Sequence, residues 1–150
     1  MKRFWDYLYI KEGNAPFDSI PLATLNGAEW KKFELRDQSK ISPDKDGDTG
    51  MGDGTKRVSG EKAEVLAQVD YTPEAYALLR GFINKKCTIV LIDSDNPDTN
   101  GDFVGCPAIF GVRPYPKKNI ESGTDPYIEI SGDRSARSLT NIQRDVTVTN

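Results

Sequence analysis

Two runs of carboxylates are the residues whose type and spacing come nearest to a recognisable chemistry. In Asp44 to Thr55 (DKDGDTGMGDGT), Asp44, Asp46 and Asp48 occupy the first three ligand positions of a calcium loop. That spacing puts hard carboxylate oxygens on one concave face. The pattern then breaks. Thr49 stands where such a loop needs glycine, Thr55 stands where its bidentate glutamate belongs, and no helices flank it. Asp93, Asp95, Asp98 and Asp102 form a second acidic cluster, spaced like the aspartates of calcium-stabilised loops. Carboxylates without a neighbouring base repel one another, so a cation binds there or the loop stays open and wet. A solvated turn is the simpler reading of both runs. Together they keep a calcium-dependent β-sandwich binding module as the alternative function.

Catalytic chemistry has less to work with. Histidine is absent, which removes the commonest general base and most zinc sites. Cys87 and Cys106 lack metal-ligand spacing and read as two buried, reduced thiols. Glu61/Glu64 or Asp93/Asp95 could be nominated as a glycosidase pair, but nothing in the sequence fixes their separation. Trp5, Tyr7 and Tyr9 could stack a sugar or base, although aromatics on a first strand are more often core. Neither Gly101-Asp102 nor Gly52-x-Gly54 joins a strand to a helix, so neither cradles a phosphate. We therefore assign no catalytic residue, no metal ligand and no cofactor site, and expect no enzyme.

The elements that would hold any site are clearer. Thr72 to Ile92 (TPEAYALLRGFINKKCTIVLI) predicts a helix over about residues 73–84, followed by a strand. Thr72 is a good N-cap, Pro73 sits where a missing N–H costs nothing, and Glu74 faces the positive end of the helix dipole. Ala75, Leu78, Leu79, Phe82 and Ile83 recur at helical spacing. Cys87 to Ile92 is rich in β-branched and apolar side chains, the mark of a strand buried on both faces.

Before it, Phe4 to Ile10 reads as a first strand, and Ile20 to Leu25 as a second. The second strand turns at Asn26-Gly27 into Ala28 to Leu35, a hairpin expectation. Glu61 to Asp70 alternates, with Ala63, Val65, Ala67 and Val69 on one side. The helix formers in EKAEVLAQ compete with that strand reading. After it, Phe103 to Val112 presents Val104, Cys106, Ala108, Phe110 and Val112 on a single face. Symmetric pairing would set Cys87, Ile89 and Leu91 opposite Ala108, Cys106 and Val104. Arg113 to Pro126 reads as a loop, and Tyr127 to Ser131 with Arg137 to Val148 as a closing pair around Gly132-Asp133. Arg36 to Arg57 differs from all of these. It balances acids and bases, is rich in glycine and offers little to bury, so it reads as a long polar arm over about residues 36–57.

The fold class is thus mainly β: an antiparallel β-sandwich or barrel with one flanking α-helix and an inserted flexible arm. Its 150 residues suffice for one domain with its own core. A hydrophobic fraction of 37% and a charged fraction of 29% are those of an ordinary globular chain. A net charge of −3 gives no basic footprint for nucleic acid. No apolar run nears the roughly 18 residues that span a bilayer. The basic start MKRFWDYLYIKEG is interrupted by Asp6 and has no small-residue cleavage site, so no secretory leader is expected.

The order of elements resembles the tail-tube proteins of long-tailed bacteriophages and the related tube proteins of contractile injection machines. Glu61 to Asp70, Thr72 to Ile92 and Phe103 to Val112 carry the resemblance, with Arg36 to Arg57 as the candidate arm. It implies a β-sandwich whose copies assemble through subunit contacts into stacked hexameric rings, with a long loop reaching a neighbour. The implied partners are the chain itself and other tail proteins, without specific nucleic-acid binding or a membrane. The implied location is the virion, assembled in host cytoplasm. An arm of this length reaches about 70 Å fully extended, or about half that as a hairpin.

Overall fold

All six residues of Cys87–Ile92 are buried, as a strand apolar on both faces requires. The computed structural model describes residues 4–36, 39–50, 56–136, 138, 140 and 142–150, with side chains left aside from 42 to 60. In chain order the elements are β1 (Tyr7–Glu12), β2 (Ser19–Pro21), α1 (Leu22–Leu25), β3 (Lys31–Glu34), β4 (Lys40–Gly50) and β5 (Lys56–Asp70). Then follow α2 (Pro73–Arg80), β6 (Cys87–Ile92), β7 (Phe103–Val112), β8 (Tyr115–Asn119), β9 (Tyr127–Ala136) and β10 (Gln143–Thr149).

The strands form two sheets, ordered β2-β10-β7-β6-β1-β3 and β4-β5-β9-β8. Every pairing is antiparallel except that of β10 with β2. One core lies between the sheets. Leu8, Ile10, Ile89, Leu91 and Ile109 come from the six-stranded sheet, and Ala63, Val65, Ala67, Val69, Ile128 and Ile130 from the four-stranded one. A second core lies on the other face of the larger sheet, where Tyr9, Val90, Ile92, Cys106, Ala108 and Phe110 meet Ile20, Leu25 and Trp30. Thus β6 receives cover on both faces, from the smaller sheet inside and from the β2–β3 region outside.

The chain changes sheets at two corners. After β3, Leu35 bridges Val69 and the Arg36 amide donates to the Gln68 carbonyl. After β7, the Arg113-Pro114 step leads into β8. There Gly132 of β9 lies so close to Val112 and the Arg113 carbonyl that a Cβ would crowd them.

The helix begins where its capping residues predict. Thr72 Oγ1 accepts from the Ala75 amide at 3.0 Å, with Pro73 in the first turn and Glu74 beside it. It ends at Arg80 instead of continuing to 84, because Gly81 caps it and the chain tightens into turns as far as Asn84, at φ 65°. Leu79 is buried, Ala75 and Phe82 pack against the inter-sheet core, and Leu78 is exposed. The helix lies beside β8, and its Leu79 joins the inter-sheet core that holds Ile89 and Leu91. A second helix, α1, replaces the latter part of the strand expected from Ile20 to Leu25.

Four further expectations are corrected. The Asn26-Gly27 turn does not make a hairpin, since β2 and β3 lie on opposite edges of the larger sheet. Pro21 ends β2 after three residues, and Leu25 is drawn into the outer core. The β6–β7 register is Ile89↔Ile109 and Val90↔Ala108, not Cys87↔Ala108. This odd offset puts Cys87 in the inner core and Cys106 in the outer one, with both thiols free. Glycines explain it. Gly105 and Gly111 have positive φ, and the pairing of β7 shifts near each, so Val104 and Val112 leave the face of Cys106, Ala108 and Phe110. Finally, β9 and β10 lie in different sheets and do not close on each other, and Arg113 to Pro126 contains a strand, β8.

Leu91→Ala should cost about 2–5 kcal/mol in urea unfolding. Val90→Asp should leave no cooperative transition, because the carboxylate would be buried without a partner.

Candidate assembly interface

The β4–β5 hairpin is the element with the least support from its own chain. From Glu61 to Asp70, β5 has β9 on its other side, from Glu61↔Ala136 to Asp70↔Tyr127. From Lys56 to Gly60 its one strand partner among the described residues is β4, through pairs such as Gly47↔Gly60, Asp48↔Val58 and Gly50↔Lys56. Beyond Lys45↔Glu61 the sheet thus narrows to a two-stranded ribbon. The register slips on either side of Gly47, a bulge that strengthens local twist. An isolated two-stranded ribbon is marginal in water without a face to pack on.

The candidate arm is therefore paired strand over residues 40–50 and from 56 onward, while 37, 38 and 51–55 lie outside the described residues. Its expected flexibility falls partly on them. The outer side of β4 has no strand partner among the described residues. Sheet edges carry devices against chance pairing: β2 is three residues long and ends in Pro21, β3 has Lys31 and Lys32, β8 has Pro116, Lys117 and Lys118, and β4 has Lys40, Pro43 and Lys45 in its first half, which leaves its Asp46–Gly50 half without lysine or proline.

The acidic runs resolve differently. Asp44, Asp46 and Asp48 lie on a ladder strand, with Asp44 opposite Lys62 and Asp48 opposite Val58. An extended ladder does not wrap an ion as a calcium loop does, and Thr55 lies outside the described residues. In the second run the carboxylates bind their own loop. Asp93 Oδ2 accepts from Asn96 Nδ2 at 2.6 Å, and Asp98 Oδ1 from the Asn100 and Asp102 amides, both at 2.9 Å. Asp102 Oδ1 accepts from the Asn150 amide at 2.8 Å, tying the end of the last strand to this loop. Asp93, Asp98 and Asp102 are thus engaged by hydrogen bonds within the chain. Among the described residues no group of three or more Asp, Glu, Cys or His side chains could hold a metal ion.

The nominated catalytic pairs do not come together. Glu61 and Glu64 are an odd number of residues apart on β5, which directs them to opposite faces. Asp93 is buried and accepts from the Asp95 amide, so it does not face Asp95 across a cleft. Tyr9 is core: its hydroxyl donates to Asn26 Oδ1 at 3.1 Å, and burial first, then Tyr7 and Asp6, raise its pKa. Lys32 Nζ covers the Tyr7 ring, 4.0 Å from its centroid, and Trp5 packs partly against the inner core. Gly101 turns at φ 84° within the loop that Asp98 organises. Gly52 and Gly54 lie outside the described residues.

Sequence reasoning missed two clefts. One, of about 380 Å³, runs over the smaller sheet between Lys40, Glu64, Leu66, Tyr115 and Asp133. The other, of about 330 Å³, opens beyond the end of β1, walled by Pro16, Phe17, Ile20 and Trp30. Phe17 stands edge-on to both Trp30 and Phe110, at 6.4 and 5.3 Å between centroids. Sequence reasoning offered this region only a hairpin that does not form, since Phe17 and Trp30 both sit in irregular backbone on either side of a single helical turn. No helix among the described residues is long and apolar enough to cross a membrane.

No protein-family model matches this chain, and no curated protein does. Among solved structures, a crystal structure of an Hcp protein superposes over 97% of this chain and 99% of that chain, at 6% identity and a TM-score of 0.40. So loose a superposition carries no argument about function, which has to rest on the chain's own architecture.

Two measurements follow from these groups. Melting in millimolar calcium should match melting in chelator, because both acidic runs are engaged in the chain's own backbone structure; a cation bound only by the folded form would raise the midpoint. Burial, and then Glu12, push the Cys87 thiol from its ordinary value of 9.0 up to about 11, against smaller opposing effects of Lys85 and Arg113. A raised folded pKa means the unfolded chain loses its proton first. Stability should be full below about pH 9 and fall towards pH 11, and Cys87→Ala should flatten that part of a chemical-denaturation profile.

Proposed function

We propose that this chain is a structural, self-assembling protein whose copies form rings that stack into a tube, as a virion tail component. The observation that carries the reading is the β4–β5 ribbon. Past Lys45↔Glu61 it has ladder bonds along one edge of each strand and no third strand among the described residues. A ribbon of this kind gains stability by laying its free edge or its face on another subunit, where backbone pairing supplies the contact. Beyond Pro43, the outer side of β4 offers such an edge, with no strand partner among the described residues. A contact between unlike surfaces closes into a ring when its rotation permits, and rings then stack.

The remaining features support the same role. The outer face of the smaller sheet is polar, with Glu64, Gln68, Asp70, Glu129 and Asp133 interspersed with Lys62 and Lys117, which suits a wet surface. A net charge of −3 suits a lumen through which DNA slides without sticking. In this reading the partners are further copies, in hexameric rings, and neighbouring tail proteins. The chain works without a cofactor, a specific nucleic-acid site or a membrane.

Lys45 and Glu61 are directly opposite, so residues 46–60 can be replaced by a two-residue Asn-Gly turn without disturbing the three-stranded part of the sheet. That variant should melt within a few degrees of the parent and stay monomeric. The parent at high concentration should show rings or tubes by light scattering and negative-stain microscopy. Assembly unchanged in the shortened variant would sink the arm reading.

A further inference from the structure

The two cores of the molecule are closed by different parts of the chain. The inner core draws on both sheets and on α2, and among the described residues nothing from 14 to 30 belongs to it. The outer core is covered by Ile20, Leu25 and Trp30, with Phe17 and Leu22 packed beside them. One stretch, residues 14–30, thus supplies the cover of this face.

That stretch has little to order it on its own. Its helix α1 is a single turn of four residues, and its strand β2 has three, paired to β10 from Thr147↔Ser19 to Thr149↔Pro21. A helical turn this short does not repay its nucleation, and a strand this short adds little ladder, so both depend on the face they cover. The side-chain ties lie at the margins. Arg144 meets the exposed carboxylate of Asp18 at 2.6 Å, and the Tyr9 hydroxyl donates to Asn26 Oδ1 at 3.1 Å.

Closure is also imperfect. A cleft of about 330 Å³ remains where Phe17 and Trp30 of the stretch face Lys11 and Thr88 of the sheet. The Trp30 indole Nε1 is buried without a hydrogen-bond partner among the described residues. The closed form therefore forgoes a bond that water supplies once the ring is uncovered. Just before the stretch stands Gly13, at φ 127°, with open space where a Cβ would be. Its N–H donates to the Lys86 carbonyl at 2.7 Å and its carbonyl accepts from Thr88 Oγ1 at 3.0 Å, which pins the chain to the start of β6.

We propose that residues 14–30 form a lid that opens as one unit, hinged at Gly13, while the inner core and both sheets stay folded. Opening frees the β10 edge from Thr147 to Thr149 and uncovers the outer face of Val90, Ile92, Cys106 and Phe110. The lid is a conformational device of the single chain, and it stands whether or not copies form rings.

The two thiols test this, because Cys106 lies in the outer core and Cys87 in the inner one. The full chain is alkylated with dilute iodoacetamide under native conditions, and each site is followed by peptide mass spectrometry. Relative to the same thiols in the unfolded chain, Cys106 should react at least about tenfold faster than Cys87, since local opening lies below global unfolding. Ile128→Val, in the inner core, weakens the closed and lid-open forms alike. It should speed Cys87 several-fold and leave Cys106 unchanged. Phe17→Ala removes the edge-on contacts to Trp30 and Phe110 and should speed Cys106 about tenfold. Cys106 reacting no faster than Cys87, quickening with Ile128→Val, or ignoring Phe17→Ala would each overturn the proposal.

Discussion

A strand with apolar residues on both faces cannot lie at a surface, and that constraint on Cys87–Ile92 organises the molecule. Burying Ile89 and Leu91 requires a second sheet, and burying Val90 and Ile92 requires a lid on the far side. The smaller sheet meets the first need with the alternating Ala63–Val69 face of β5 and with Ile128 and Ile130 of β9. An irregular segment from Phe17 to Trp30 meets the second, using large aromatics where it has little regular structure. The fold is therefore layered three deep at its centre, although the described residues form two sheets.

This division explains which parts of the fold could be read in the sequence. The helix start, the buried strand and the alternation of Ala63–Val69 are local signals, and each appears where its residues place it. Pairing partners are not local. Asn26-Gly27 has the composition of a hairpin turn, but Pro21 and the burial of Leu25 prevent the flanking segments from lying side by side. Alternation on β7 fails where glycines at positive φ insert an irregular residue, and one such residue reverses the face of everything beyond it.

The candidate site was legible in the same uneven way. The arm announces itself by composition, since a glycine-rich polar stretch has nothing to bury, yet composition does not tell a loop from a paired ribbon. The acidic runs have calcium-like spacing because aspartate and asparagine also make tight turns by accepting backbone N–H groups, as Asp98 does. Spacing alone cannot separate these uses. The cleft beside Trp30 left no trace in the sequence, because its walls come from a loop, a short edge strand and a single helical turn.

The point at which β9 stops pairing, opposite Glu61, divides the chain into a part whose length is fixed and a part whose length is free. Below it, any insertion shifts residues that face a packed core. Above it, β4 and β5 pair with each other and with no third strand among the described residues, so residues can be added or removed in matched pairs. Each added pair extends the hairpin by about 3.4 Å. Steps of two pairs also preserve which residues face which side. The hairpin is in this sense a ruler, able to set a spacing between neighbouring molecules while the core beneath it stays unchanged.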